Sequence, residues 1–189
     1  MASYLNLFIR GLKRRYLLEY LVKLPKDKID VIVCSPGGCG NVTINNHLEK
    51  FCISNNYLKK NAIHKHALMH LPKPLSSMLE NKIKIILIKR DFEAIYQSHK
   101  KRNFLRNSLI WYGDMFSFYK FKNEIYLKKK FFNYLTQYYK NWEKYPEELK
   151  LEINYADLWF SADKISNFIN IRSPEFKKTF PSFKRYEYK

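Results

Sequence analysis

One stretch constrains the fold of this chain more than any other: residues 30–43, where an apolar β-branched run meets a glycine-rich break and then a helical pattern. Val31, Ile32, Val33 and Cys34 read as a short buried parallel strand over 30–35, ended by Pro36, Gly37 and Gly38. Ile44, Leu48, Phe51 and Cys52 follow at helical spacing, giving a helix over 42–56. Glycines at 37, 38 and 40 permit positive φ and a close approach of the backbone to a ligand. After Cys39, the helix start through Asn41, Val42 and Thr43 offers N–H groups and the positive end of a dipole. Such a terminus suits a phosphate or a sulfate. The plain alternative is a glycine-rich turn that binds nothing. A nucleotide-triphosphatase loop would need a lysine after Gly40, where Asn41 stands. The dinucleotide fingerprint fails too, because Thr43 occupies the place of its third glycine.

Bases outnumber acids 35 to 17 in 189 residues, a net charge of +18 that points to anionic partners such as nucleotides, sulfated or phosphorylated sugars, nucleic acid or acidic lipid. Lys, Asn, Ile, Tyr and Phe are all abundant, as an AT-biased genome would give, so part of that charge reads equally well as a solvated surface. With 46% hydrophobic and 17% aromatic residues, a packed core is expected rather than disorder, in one domain over residues 1–189. Cys34, Cys39 and Cys52 form an odd set without metal-ligand spacing, so a reducing, cytoplasmic setting and no metal are expected. No run of 18 apolar residues exists to span a membrane. Residues 1–28 carry a basic amphipathic helix at 4–22 (Leu5, Phe8, Leu12, Leu17 and Leu21 with Arg10, Lys13, Arg14 and Arg15). Docking onto the domain is its expected role, with peripheral membrane contact as the alternative.

Further along, Ala62 to Leu68 reads as a short extended run, and a brief helix at 75–80 follows Pro72 and Pro74. Residues 83–88 (Ile-Lys-Ile-Ile-Leu-Ile) are apolar enough for a strand buried on both faces, and a helix begins after Arg90 and Asp91. The aromatic, basic segment 104–124 reads as a lid over an acceptor. Phe131, Leu135, Tyr138, Tyr139 and Trp142 give the core stripe of a helix over 125–145. Residues 149–155 alternate as a strand, and 161–170 close the chain as a helix. This alternation implies a parallel sheet with helices on both faces, and ligands at the carboxyl ends of its strands. Residues 35–43, His66 to His70 and Arg90 all fall at such ends.

Arg90 closes a strand and Ser98 lies about two helical turns further on, an arrangement that can grip a phosphate through a planar fork and a hydroxyl. His64, His66 and His70 place imidazoles near a second strand end, and Tyr155, Ala156, Asp157 and Leu158 follow the last strand. Taken in this order, the segments resemble the sulfotransferases that use 3′-phosphoadenosine 5′-phosphosulfate (PAPS). Residues 36–42 resemble the longer form of the family's phosphosulfate loop. Leu68, Met69, His70, Leu71 and Pro72 resemble its Lys-Thr-His-Leu-Pro motif, Arg90, Asp91 and Ser98 its 3′-phosphate motif, and Tyr155 to Leu158 its Tyr-Glu-Asp-Leu.

The resemblance implies an α/β fold of the P-loop type, a three-layer sandwich with a mostly parallel central sheet. It also implies in-line transfer of a sulfuryl group from PAPS to a hydroxyl, a saccharide being the acceptor guessed at. Gly37, Gly38, Cys39, Gly40, Asn41, Val42 and Thr43 would then hold the phosphosulfate, Arg90 and Ser98 the 3′-phosphate, and Tyr155 the adenine. His70 or His66 would take the acceptor proton, since imidazole titrates near about 6.5. The chain would be a divergent, short member. The family's loop base is Gly38 here, with Lys65 and Lys89 as replacements, and Arg172, Lys177, Lys178, Lys184 and Arg185 stand where its glycine-rich tail would be. Two other readings compete: a nucleotide- or polyanion-binding module without efficient catalysis, and a nucleic-acid-binding protein that stacks bases on 104–124.

Overall fold

The structure, a computed structural model, describes residue 9 and residues 29–55, 68–111 and 123–182. Apart from residue 9, the helix expected at 4–22, the part of the expected extended run at 62–67, residues 112–122 of the segment read as a lid and the basic pair Lys184 and Arg185 lie outside the described residues.

The fold is mixed α/β, built on a parallel three-stranded sheet. Strands β1 (Val31–Cys34), β2 (Lys84–Lys89) and β3 (Lys150–Asn154) lie in the order β1-β2-β3. All of β1 and the four central residues of β2 are buried, as uninterrupted Val, Ile and Leu runs require. Cys34 pairs with Leu87, and Lys89 with Asn154, so all three strands end at one edge of the sheet. From that edge leave the glycine loop, Arg90 and Tyr155, and the Tyr155 N–H continues the ladder onto the Lys89 carbonyl at 2.7 Å.

Seven α-helices are described: α1 (Asn41–Leu48), α2 (Ser76–Glu80), α3 (Phe92–Lys101), α4 (Leu105–Trp111), α5 (Glu124–Glu143), α6 (Ala162–Ile169) and α7 (Pro174–Lys178). The stripe Phe131, Leu135, Tyr138, Tyr139 and Trp142 of α5 is buried. Polar atoms in and just after this helix reach the connections beside it: Trp142 Nε1 donates to the Leu71 carbonyl at 3.0 Å, and the hydroxyl of Tyr145, two residues past the helix, to that of Met78 at 3.1 Å. Asp91 caps α3 by accepting from the Ala94 N–H at 2.8 Å.

Three elements differ from the sequence reading. The first helix stops at Leu48 rather than 56, because residues 53–55 turn back onto β1. There the Asn55 side chain pairs with Val33 as a neighbouring strand would, accepting from its N–H at 2.8 Å and donating to its carbonyl at 3.0 Å. Leu68, the last residue of the expected extended run, is helical with Met69 after it, and the Met69 carbonyl accepts from the Ser35 N–H at 2.8 Å. The short helix α7 was not expected; proline at its first position after Ser173 is the signal for it.

Because the Asn55 amide satisfies two buried backbone groups of β1, Asn55→Leu strands both. It should lower the unfolding free energy by about 2–4 kcal/mol in a urea titration, with an unchanged m-value. A loss below about 0.5 kcal/mol would show that water replaces the amide.

Candidate functional site

The turn after β1 is locked from within. The Gly37 N–H donates to Ser35 Oγ at 3.2 Å, and the buried Cys39 thiol to the Gly37 carbonyl at 3.2 Å. Burial pushes the Cys39 thiol up to about 12 against the opposing pull of Ser35, Arg90 and Arg102, so no thiolate nucleophile exists here at neutral pH. Gly40, in the left-handed conformation, precedes α1, and no side chain caps that helix. Asn41 is buried and Val42 exposed, while Thr43 faces the cleft described next.

A cleft of about 850 Å³ opens at the carboxyl edge of the sheet, within the common size range for small-molecule sites. Six of the sequence-predicted residues line it together: Gly38, Gly40, Thr43, Arg90, Ser98 and Tyr155. Arg90 Nη1 donates to the Gly38 carbonyl, and its guanidinium lies 4.2 Å from the centre of the Tyr155 ring. The Tyr139 hydroxyl helps fix Arg90 by accepting from its N–H at 3.4 Å. Tyr155 meets Trp159 edge-on at 5.7 Å, and a Cβ placed on Gly40 would lie 3.2 Å from the Trp159 ring. Loop, guanidinium and aromatic rings thus form one continuous wall. Lys50, Arg90, Lys101 and Arg102 line the cleft, and among the described residues no carboxylate does. The charge of the cleft is therefore of one sign, which suits an anion.

At one end, His47 Nε2 bonds to the Phe176 carbonyl at 3.0 Å, and its ring packs among Phe51, Phe176 and Phe180. Burial lowers its pKa, so it serves as a neutral strut between α1 and the segment from α7 to Ser182 that lines the cleft. Behind the loop, away from the cleft wall, Gly37 is flanked by two imidazoles. A Cβ placed there would lie 2.9 Å from His99 Nε2 and 3.6 Å from His70 Cε1, and Gly37 has φ +99°, so only glycine fits.

His70 Nδ1 bonds to the Ser35 carbonyl at 2.9 Å; a carbonyl only accepts, so Nδ1 carries the proton and Nε2 the lone pair. His99 Nδ1 bonds to Ser108 Oγ at 2.7 Å, and that hydroxyl spends its proton on the Phe104 carbonyl, which assigns the same tautomer to His99. Burial first, then Arg102 and His70, push His99 down to about 4. The carbonyls of Pro36 and Gly37 favour its protonation without offsetting burial, and His99 Nε2 has no partner in hydrogen-bonding geometry among the described residues.

His70 is absent from the cleft wall; it stands behind the loop, at Gly37. His66 and Lys65 lie outside the described residues. Lys89 does not serve the loop: it is ion-paired with Glu152 across β2 and β3. Sequence reasoning missed Arg102, Trp159, His47 and His99. Arg102 follows Ser98 by four residues on α3, Trp159 follows Tyr155 by four, and His47 follows Thr43 by four, so helical spacing from the residues already chosen was the available signal.

His99 is neutral in the fold and protonates near 6.5 when unfolded, so its stabilising share is present above about pH 6.5 and is lost between there and about pH 4. That share is about 3 kcal/mol. Urea unfolding of His99→Gln against the parent chain should show a gap in stability that narrows by that amount from pH 7 to pH 4; parallel curves would exclude a buried neutral His99. No family model, curated protein or solved structure matches the chain, so the reading of this cleft rests on its own geometry.

Proposed function

We propose that the cleft binds a bisphosphorylated adenosine nucleotide and that the chain transfers the sulfuryl group of PAPS to a hydroxyl acceptor, with a saccharide as the acceptor class to try first. The observation that carries this is the shared wall: the loop glycines, Arg90, Ser98 and Tyr155 line one cleft whose charged side chains are all cationic. With it goes the finer architecture, a three-layer sandwich of the P-loop type. A cytoplasmic setting, with peripheral membrane contact through residues 1–28, belongs to the same proposal.

In this reading the amides from Gly38 to Thr43 hold the 5′-phosphosulfate and meet the charge that builds on the leaving phosphate. Arg90 and Ser98 take the 3′-phosphate, and Tyr155, already stacked with Arg90, borders the base. The acceptor oxygen forms a bond to sulfur as the bridging sulfur–oxygen bond breaks. The electron pair leaves with 3′-phosphoadenosine 5′-phosphate, and the acceptor proton passes to a histidine. His70 is the histidine the resemblance names for that role; the Ser35 carbonyl orients it through Nδ1, and since it stands at Gly37 rather than on the cleft wall, the acceptor would approach the loop from that side. His66 and Lys65 are the other groups to test.

A second reading, nucleotide binding without transfer, draws on Gly38, which brings no cation on the loop itself.

At one hundred times its dissociation constant, 3′-phosphoadenosine 5′-phosphate should raise the melting temperature by about 5–10 °C, and Arg90→Gln should remove the shift. No shift, or one set by salt alone and indifferent to Arg90→Gln, would sink the nucleotide reading. With PAPS and a panel of saccharides, His70→Ala should lower sulfate transfer by about 100-fold or more while nucleotide affinity stays within twofold. Full activity in His70→Ala moves the base to His66 or Lys65, and nucleotide binding with no transfer by the parent chain selects the second reading.

A further inference from the structure

The direction in which residue 38 would carry a side chain is already filled. Gly38 has φ +68°, and a Cβ built on it would lie 2.8 Å from Ser98 Oγ and 3.2 Å from Arg102 Nη2. Arg102, at the end of α3, is held there by two bonds to Ser98: Nε donates to its carbonyl at 3.0 Å and Nη2 to its hydroxyl at 2.8 Å. Two of its five N–H groups are thereby used, and among the described residues the other three have no acceptor. The guanidinium lines the cleft beside Gly38, the residue whose carbonyl Arg90 grips. Its field reaches the loop, since it opposes protonation of His99 and favours ionisation of Cys39.

We infer that Arg102, positioned by Ser98, is an anion-binding residue of this cleft and supplies from α3 the positive charge that the loop lacks at residue 38. The inference rests on the nucleotide reading above and adds to it a second guanidinium. Arg90 and Ser98 are then left to the 3′-phosphate, while Arg102 adds a planar donor beside the loop residue whose carbonyl Arg90 grips. Ser98 keeps a function in this arrangement: its oxygen accepts from Arg102 while its own proton remains to donate to the ligand.

The test is calorimetric titration of the full chain with 3′-phosphoadenosine 5′-phosphate at physiological salt, with circular dichroism confirming that each variant is folded. Arg102→Gln should raise Kd about tenfold or more, as loss of a charge-assisted bond does. Arg102→Lys, which keeps the charge without the two bonds to Ser98, should fall between. Lys144→Gln, an exposed charge outside the cleft, should stay within about twofold. Once Arg102 is Gln, Ser98→Ala should cost less than it does in the parent chain, because the positioning part of its effect is gone. If Arg90→Gln abolishes binding while Arg102→Gln matches Lys144→Gln, the assignment of Arg102 is overturned and the nucleotide reading stands. If the parent chain binds no nucleotide, both are overturned.

Discussion

The carboxyl edge of the sheet depends on one guanidinium. Arg90 leaves the central strand, bonds to the Gly38 carbonyl in the turn after β1, and stacks on Tyr155 in the turn after β3. Three successive strand ends are cross-linked by a single side chain, and this is possible only because the strands are parallel and in register. Were β3 antiparallel, Tyr155 would leave from the opposite edge and Arg90 would have no ring to cover. The register of Lys89 with Asn154 sets the guanidinium and the ring side by side, and the Tyr155 N–H on the Lys89 carbonyl fixes their separation. A charge-assisted bond and a cation–π contact are together worth about 2–4 kcal/mol, enough to hold an otherwise glycine-rich turn in one shape.

Burial sorts the titratable groups by depth. Beneath the loop lie Cys39 and His99, both fully or nearly buried, and desolvation keeps both neutral at pH 7. The field of Arg90 and Arg102 favours a Cys39 thiolate, yet the cost of burying an anion wins. Along the wall, where water still reaches, stand Lys50, Arg90, Lys101 and Arg102. The result is a neutral floor beneath a wall whose charged side chains are all cationic. A cation meets only repulsion. Discrimination by sign is therefore built into the cleft before any base-specific contact is made.

The three strands were legible to within one residue at each end, because β-branched runs bounded by Pro, Gly and charged turns leave little choice of period. The stripe from Phe131 to Trp142 fixed α5 for the same reason. The end of α1 was not legible. The spacing of Ile44, Leu48, Phe51 and Cys52 continues a helix on paper, and what stops it is the Asn55 amide, bonded to Val33 across 22 residues. Local pattern carries no trace of such a bond. At the site, residues that sit next to a strand end were found, whereas His99 was not. Its role arises from the end of α3 packing under Gly37, a contact between segments 62 positions apart, and a lone histidine on a buried helical face carries no mark of that.

Residue 38 shows how these constraints act on one another. A side chain there would need positive φ, which every residue but glycine adopts at a cost, and it would enter the volume held by Ser98 and Arg102. A lysine on the loop and the Ser98–Arg102 pair are therefore alternatives for one space. A lysine placed at residue 38 would require Ser98 and Arg102 to withdraw, and with them the hydroxyl and the guanidinium that now face the cleft. The choice was made in the backbone: with Gly38 in the left-handed region and its carbonyl turned toward Arg90, the turn offers peptide groups to the cleft and leaves the charge to β2 and α3. Both cations are held in place by the protein itself, Arg90 by its bond to the turn and Arg102 by its bonds to Ser98. An anion entering such a cleft finds its donors already arranged, and little of its binding free energy is spent on ordering them.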